Sequence, residues 1–275
     1  MSELVRAIVL GVVQALTEFL PVSSSAHLIL ASEFIDDSVD SLTFDVGLHV
    51  GTAAAVLGYF WRDWLRIAGS GLRSAAMHGV RVSHWDEHAL LGLWIVVASV
   101  PAALAGLIFG EVIDRELREP LVVGVMLIGV ALVIWAADRW GGTLARLSEL
   151  TAGRALLLGV AQAMALVPGV SRSGITIAAA RGMGFDRYSA TRFSFLLSAP
   201  IVVGAGIFQF SEALSSGEEV EWRALLLGAF VSFALGAAVI RFLLDFVRVR
   251  SFLPFVLYRI VLGTVVLALV AAGSL

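Results

Sequence analysis

The sequence predicts an all-α polytopic membrane protein, with six transmembrane helices and two re-entrant helical hairpins in an inverted-topology repeat. The first observation is composition: 59% of the 275 residues are hydrophobic and 15% are charged, against about a quarter charged in soluble domains. The second is a set of six apolar runs. The third is a pair of apolar regions that are broken near their middles and are similar to each other. We expect one membrane domain over residues 1–275, made of two repeats at about 1–137 and 153–275.

The six apolar runs are long enough to cross about 30 Å of hydrocarbon as helices. They occupy residues 43–61, 89–110, 120–137, 193–210, 224–240 and 254–273. Two further regions, 4–31 and 153–180, are interrupted by Pro21 and by Pro168 with Gly169. Backbone that leaves the helix at membrane depth persists only where protein or water covers it. We therefore expect these two regions to form hairpins that enter the membrane and return.

We expect the protein in the cell membrane, where arginines accumulate in the loops that face the cytoplasm. The loops at 31–42 and 211–221 carry acids and no arginine, so we expect them outside, together with both termini; the mixed loop at 111–119 also fits outside. Four loops collect arginines and are expected inside: Arg62, Arg66, Arg73 and Arg81; Arg139, Arg146 and Arg154; Arg181, Arg187 and Arg192; Arg248 and Arg250. Region 4–31 then enters from outside and region 153–180 from inside, which gives the two halves opposite orientations.

The two broken regions carry polar residues at matching positions. They read GVVQALTEFLPVSSSAH and GVAQAMALVPGVSRSG. A constant offset in residue number pairs Gly11 with Gly159, Gln14 with Gln162, Ser23 with Ser171 and Ser25 with Ser173. The charged positions differ, because Glu18 pairs with Leu166 and Ser24 pairs with Arg172. The two breaks are thus complementary in charge, and ionisable groups at membrane depth indicate function.

Gln14 and Glu18 are four residues apart, so on a helix they share one face and can together bind a hard cation or orient a water. Gln14 can instead be an interhelical hydrogen bonder. Glu18 is costly in lipid without a cation, a metal or a proton, and the second copy supplies Arg172. Arg172 is either a structural partner of Glu18 or a planar ligand for phosphate oxygens, and the two roles can coexist.

Three serines follow Pro21. Ser23, Ser24 and Ser25 are placed to start a half-helix, whose free amides and positive dipole end attract an anion. Ser24 and His27 are three residues apart and share a helix face, as a hydroxyl nucleophile and its general base require. Alternatively, one serine caps the helix and the others hydrogen-bond within the membrane.

The second break combines two glycines, three hydroxyls and one arginine, in the order Pro168, Gly169, Val170, Ser171, Arg172, Ser173, Gly174 and Thr176. Glycines let backbone amides approach phosphate oxygens closely, so we expect this break to form the other half of an anion site. His49 lies within an apolar run, and we interpret it as a packing residue outside the site.

At these residues the sequence resembles the integral-membrane undecaprenyl-diphosphate phosphatases, also called bacitracin resistance proteins. QALTEFLPVSSSAH and PGVSRSGIT match the family pattern, and similarity in FSFLLSAP and SFLPFVLYR extends it over nearly the whole chain. Gln14 is the uncharged one of the two residues that the pattern allows at its position. The resemblance implies hydrolysis of undecaprenyl diphosphate, or a similar polyprenyl diphosphate, to the monophosphate and phosphate. It also implies a divalent cation, Mg²⁺ or Ca²⁺, and recycling of a lipid carrier for cell-envelope glycan synthesis.

The resemblance also implies a role for each matching residue. The implied catalytic residues are Glu18, Ser24, His27 and Arg172, and the implied metal ligands are Glu18 and Gln14. Diphosphate binding falls on Ser23, Ser25, Ser171, Arg172, Ser173 and Thr176. Whether Ser24, His27 or a water attacks phosphorus stays open. The expected partners are the lipid substrate and membrane lipids, with a homo-oligomer as an open alternative and no nucleic acid.

A transporter or flippase for a lipid phosphate or a small anion is the competing function, because inverted repeats with broken helices are a common transporter plan. A carrier needs affinity but no nucleophile and base, so Ser24 and His27 beside Glu18 favour the enzyme. A non-catalytic membrane scaffold would leave Glu18 and Arg172 without an explanation.

Overall fold

A computed structural model describes residues 2–32, 42–143, 145, 147–216 and 221–275. Across these residues the chain forms eleven α-helices: α1 Glu3–Phe19, α2 Ser24–Ser32, α3 Leu42–Tyr59, α4 Trp61–His78, α5 Glu87–Glu116, α6 Pro120–Trp140, α7 Ala152–Met164, α8 Arg172–Gly182, α9 Arg187–Ser216, α10 Trp222–Val249 and α11 Leu253–Ala271. The described part of the chain contains no β-sheet, only an isolated bridge between Ala145 and Phe185. The predicted all-α class is confirmed.

Five helices within the described ranges are long and apolar enough to cross a membrane: Glu87–Gly110, Pro120–Trp140, Arg187–Ile207, Trp222–Val249 and Leu253–Ala271. They coincide with five of the six predicted runs. The remaining run, 43–61, forms α3, which carries Asp45 and His49 and is not among these five. The acidic loop segments predicted outside, at 33–41 and 217–220, and the predicted internal Arg146 lie outside the described residues.

The arginine-rich connection after α3, which the sequence predicts as a long loop, is mostly helix α4. The loop prediction was wrong because it was based on the arginines of this segment, whereas its apolar residues recur with the period of an amphipathic helix. Ile67 and Ser74, seven residues apart, are both buried and therefore lie on one helix face, which packs towards α5. This face stabilises the helix.

The helices of the two halves pack in corresponding pairs. Helix α1 packs on α10 and α7 packs on α5, while α3 contacts α9 and α6 contacts α11. A Cβ atom on Gly11 would lie 2.9 Å from the Gly228 carbonyl oxygen, and one on Gly159 would lie 2.5 Å from the Ala98 oxygen. Small residues at such positions let helix backbones approach closely in lipid.

Both predicted helix breaks are present. Helix α1 ends at Phe19 and α2 begins at Ser24, after Pro21, which has no backbone N–H to continue a helix. Helix α7 ends at Met164 and α8 begins at Arg172, after Gly169 at φ 89°, a conformation that glycine tolerates. Helix α8 packs against α6, α7 and α9, so the second break lies in the interior.

Candidate active site

Glu18 is the centre of the site, in the last turn of α1, with a side chain only 8% exposed. Its Oε1 accepts a hydrogen bond from Arg172 Nη2 at 2.5 Å. Its Oε2 accepts from Ser24 Oγ at 2.7 Å and from Gln14 Nε2 at 3.3 Å. A carboxylate buried this deeply needs a cation and hydrogen-bond donors, and here both oxygens have them.

Three helix ends bring these groups together. Gln14 and Glu18 are four residues apart and share one face of α1, Ser24 is the first residue of α2, and Arg172 is the first residue of α8. The amino-terminal ends of α2 and α8 therefore meet beside the carboxylate. Helix amino termini carry unpaired N–H groups and a partial positive charge, which attract phosphate.

The two breaks share an unusual backbone conformation. Ser23 has φ 77° and Ser171 has φ 72°, a region that few residues other than glycine adopt. In each break the serine hydroxyl lies 3.2 Å from the hydroxyl two residues later, in Ser25 or Ser173. Residues held in such sparsely populated conformations cluster at functional sites.

Hydrogen bonds tie the first break to the second. The Gly169 N–H donates to Ser25 Oγ at 3.4 Å, and Ser173 Oγ donates to the Leu20 carbonyl at 3.1 Å. Ser171 Oγ caps α8 by accepting from the Gly174 N–H at 3.2 Å. These predicted phosphate-binding hydroxyls thus also join the breaks and cap a helix.

Thr176 lies one turn into α8 and is buried. Its hydroxyl donates to the Arg172 carbonyl at 2.7 Å and is 2.6 Å from Ser194 Oγ on α9. The structure therefore places this predicted phosphate ligand against the protein interior, where it joins the start of α8 to α9.

His27 has a partner at each ring nitrogen. Its Nδ1 is 2.7 Å from the Ser23 carbonyl and its Nε2 is 2.6 Å from the Tyr258 hydroxyl, whose ring stacks on the imidazole. A carbonyl only accepts, so Nδ1 carries the proton, and a neutral ring then accepts from the tyrosine at Nε2. Ser24, predicted to pair with His27, instead donates to Glu18.

Sequence reasoning missed Arg259, which is fully buried in α11. Its guanidinium donates to the carbonyls of Gly169 at 2.8 Å and Val170 at 3.2 Å in the second break, and to Pro21 in the first at 3.4 Å. It also reaches Leu127 on α6. The available signal was a charged residue inside an apolar run, which indicates function or an essential partner.

The structure corrects the interpretation of His49 as a packing residue outside the site. This α3 side chain places Nε2 4.0 Å from Glu18 Oε2. A histidine within an apolar run is an ionisable group at membrane depth, the same signal that singled out Glu18.

The oxygen atoms around Glu18 fit a hard divalent cation that the substrate would help to hold. Among the described residues, the buried atoms without a hydrogen-bond partner include Gln14 Oε1 and Arg172 Nη1. Within the same residues no group of three His, Cys, Asp or Glu side chains forms a metal site. Mg²⁺ is commonly held by one or two carboxylates and by substrate phosphates, so Glu18 and Gln14 would be sufficient as its protein ligands.

Comparison with known proteins identifies similar chains over nearly the full length. Residues 7–265 match the family model described as "Bacitracin resistance protein BacA". The chain is 44% identical over 264 residues to an undecaprenyl-diphosphatase of Desulforudis audaxviator, covering 96% of this chain and 97% of that protein. It is 42% identical over 273 residues to one of a Nocardioides species, covering 99% and 98% of the two chains. An undecaprenyl-diphosphatase of Micrococcus luteus is 44% identical, with 98% of both chains covered.

Proposed function

The chain belongs to the bacitracin resistance protein BacA family, and from this premise we propose how the groups around Glu18 act in its reaction. It is an undecaprenyl-diphosphatase, as its relatives over nearly the full length are. The reaction converts undecaprenyl diphosphate and water into undecaprenyl phosphate and inorganic phosphate. We assign it the recycling of a lipid carrier for cell-envelope glycans.

Arg172 binds the terminal phosphate of the substrate. Its Nη2 bonds to Glu18 and its Nη1 is buried without a partner among the described residues, so the guanidinium has a free side for a second anion. A diphosphate at the amino ends of α2 and α8 would compete for Arg172. Phosphoryl transfer is mostly positioning and charge neutralisation, which one arginine and two helix ends supply.

Glu18 takes the proton of the attacking group. The observation that carries this proposal is the 2.7 Å hydrogen bond from Ser24 Oγ to the same carboxylate that pairs with Arg172. When the phosphate draws Arg172 away, the carboxylate loses the guanidinium at Oε1, and its Oε2, to which Ser24 already donates, can accept the serine proton. Ser24 Oγ then bonds to the terminal phosphorus, and the bond from phosphorus to the bridging oxygen breaks. Undecaprenyl phosphate leaves, and water hydrolyses the phosphoserine.

His27 acts in the second step of the reaction, the hydrolysis of the phosphoserine. With Nδ1–H held by the Ser23 carbonyl, its Nε2 is an acceptor that Tyr258 orients. This nitrogen can take a proton from the hydrolytic water once the water has replaced the Tyr258 hydroxyl there. This division of labour uses two bases, one for each step.

Gln14 Oε1 and Glu18 would hold a divalent cation, Mg²⁺ or Ca²⁺, together with the substrate. It neutralises charge on the diphosphate when bound. Gln14 Nε2 donates to Glu18, which fixes the amide so that its oxygen is the atom left for a ligand.

Trapping the phosphorylated protein tests this sequence. Purified protein is mixed with undecaprenyl diphosphate labelled with ³²P in the terminal phosphate and quenched in acid, with and without EDTA. We expect label on Ser24 in His27→Ala, in which hydrolysis is slowed, and none in Ser24→Ala. Free phosphate released by Ser24→Ala at the wild-type rate would contradict the serine nucleophile and leave water as the attacking group.

The same geometry supports the two-repeat architecture, at about 1–137 and 153–275, with α3 as the sixth span. What supports it is the corresponding packing of α1 on α10 and α7 on α5, with close glycine contacts at Gly11 and Gly159. Helices α1 with α2 and α7 with α8 are then re-entrant hairpins that enter from opposite sides. Both termini lie outside the cell.

Single cysteines test this orientation, since the chain contains none. Cysteines at Asp37 and Ser216 should react with an impermeant thiol reagent in intact cells, whereas one at Val80, which is 95% exposed, should react only after lysis. Labelling of Val80 in intact cells, with the other two silent, would reverse the topology.

A further inference from the structure

Helix α4 is held in a fixed rotation against the rest of the molecule. Its Ile67 is buried towards α5, and Asp63 accepts a hydrogen bond from Arg192 Nη2 on α9 at 2.8 Å. Ser74 donates to Asp86 at the start of α5, at 3.3 Å. These contacts lie along one side of the helix, so the orientation of its other sides is determined.

An apolar stripe is exposed on α4. Trp61, Leu65 and Leu72 are four and seven residues apart and, at about 100° per residue, lie within about 40° of one another. All three are exposed, Leu72 by 76%. Because α3 and α5 on either side of α4 are apolar helices of a membrane protein, lipid is the medium that such a stripe meets.

A basic stripe runs beside the apolar one. Arg62, Arg66 and Arg73 also lie within about 40° of one another, about 100° around the helix from the leucines. All three are exposed, and Arg66 and Arg73 line an open cleft of about 470 Å³. Two acids, Asp86 and Glu87, also line this cleft. The carboxylate of Asp86 accepts the backbone N–H groups that begin α5.

We infer that α4 lies in the membrane interface, with its leucines among the acyl chains and its arginines bound to the phosphate groups of anionic lipids. Four charged residues within 18 positions make α4 unsuited to cross the bilayer, whereas an apolar stripe beside a basic one is the pattern of a helix that lies in the interface plane. The arginine fork matches phosphate oxygens, and a basic residue near an anionic surface gains about fivefold in affinity.

A bromine-quenching experiment on the full-length protein tests this site. A single cysteine replaces Leu72 in the cysteine-free chain, is labelled with a fluorophore, and the protein is placed in nanodiscs of phosphatidylcholine with some phosphatidylglycerol. Bromine is carried on the acyl chains of either lipid at equal mole fraction. The ratio of quenching by the two lipids reports which headgroup gathers beside α4. Controls are a cysteine at Val80 and the charge-matched variant Arg139→Gln/Arg250→Gln, whose arginines are also exposed.

We expect brominated phosphatidylglycerol to quench the Leu72 label about fivefold or more over brominated phosphatidylcholine at low occupancy. The ratio should fall to about one in Arg66→Gln/Arg73→Gln and at high salt. It should stay high in the control variant and should not change when inorganic phosphate is added. Phosphate release by Arg66→Gln/Arg73→Gln shows that this variant is folded. A ratio of one in the wild type, an unchanged ratio in Arg66→Gln/Arg73→Gln, or quenching of Leu72 only by aqueous iodide, as at Val80, would each overturn the inference.

Discussion

The two helix breaks share a serine in the same unusual backbone conformation and differ in their charged side chains. Ser23 and Ser171 share a positive φ, and each hydroxyl lies 3.2 Å from the next serine but one. The first break carries the acid Glu18, whereas the second carries the cation Arg172, and they meet at 2.5 Å. Two breaks with matching serines thus bring the amino-terminal ends of α2 and α8 together, while their charged side chains differ.

The second break is also the more firmly held. Arg259 donates to two of its carbonyls but to one of the first break, and Thr176 joins it to Ser194. The first break instead places its serine and histidine against Glu18 and Tyr258. This difference supports the proposal that the second break is the anchored, phosphate-binding half and that the first is the half that moves protons.

The largest effect should come from removing the acid of the first break. Glu18→Gln keeps the shape but cannot take a proton, so phosphate release should fall about thousandfold. It also leaves Arg172 buried without an anion, which should lower stability by about 3 kcal/mol. Turnover and thermal unfolding of the detergent-purified variant measure the two effects.

The matched control lies in the second break. Leu166→Gln introduces the same amide at the position that pairs with Glu18, and turnover should change less than about threefold because no proton is moved there. A comparable loss of turnover from both substitutions would mean that the two helix breaks are chemically equivalent, which would contradict the proposed difference between them.

Next in size is the cation of the second break. Arg172→Lys keeps the charge but loses the planar fork that holds two phosphate oxygens, and one lost charge-assisted bond costs about 2 kcal/mol, or about thirtyfold in kcat/KM. Steady-state kinetics on the purified variant measure this loss. Near wild-type kinetics would show that Arg172 acts only as a point charge.

The paired glutamines give a smaller, sharper contrast. Gln14 donates to Glu18, whereas Gln162 donates to the Ala98 carbonyl on α5 at 3.4 Å. Gln14→Ala should raise the Mg²⁺ concentration for half-maximal activity about tenfold, because an oxygen donor is lost. Gln162→Ala should leave that concentration unchanged. Equal Mg²⁺ titrations for both variants would remove Gln14 from the cation site.

The smallest expected effect concerns the orientation of His27. Tyr258→Phe keeps the stacked ring and removes one hydrogen bond worth about 1 kcal/mol, so turnover should fall about fivefold. Tyr188→Phe, on the ring beneath Arg248, is the control and should change turnover little. No loss from Tyr258→Phe would show that the backbone carbonyl of Ser23 alone orients the imidazole.

Much of this architecture is visible in the sequence because lipid makes polar residues conspicuous. The apolar runs predicted the five candidate spans, and Pro21 and Gly169 predicted the two breaks, since each removes or bends a helix. The charge complementarity of Glu18 and Arg172 indicated their pairing before any contact was known. Each of these signals lies within a short stretch of sequence or comes from the similarity of the two broken regions at a constant offset in residue number.

The remaining site residues depend on contacts that no local pattern encodes. Tyr258 and Arg259 reach the breaks from α11, more than two hundred residues after Pro21. Ser24 and His27 share a helix face by spacing, yet Ser24 turns to Glu18 because the break places α1 beside α2. Spacing within one helix thus indicated the residues, whereas tertiary packing decided their partners.

The most direct test of the central claim is a double-mutant cycle between Glu18 and Ser24, measured as kcat/KM for phosphate release. If Glu18 takes the proton of Ser24, the two residues act as a unit, and Glu18→Gln/Ser24→Ala should be within about threefold of the worse single variant. A parallel cycle of Ser24→Ala with Arg172→Lys serves as the comparison across the two breaks. Losses that multiply in the Glu18 and Ser24 cycle would contradict the account, because the carboxylate and the hydroxyl would then serve separate steps.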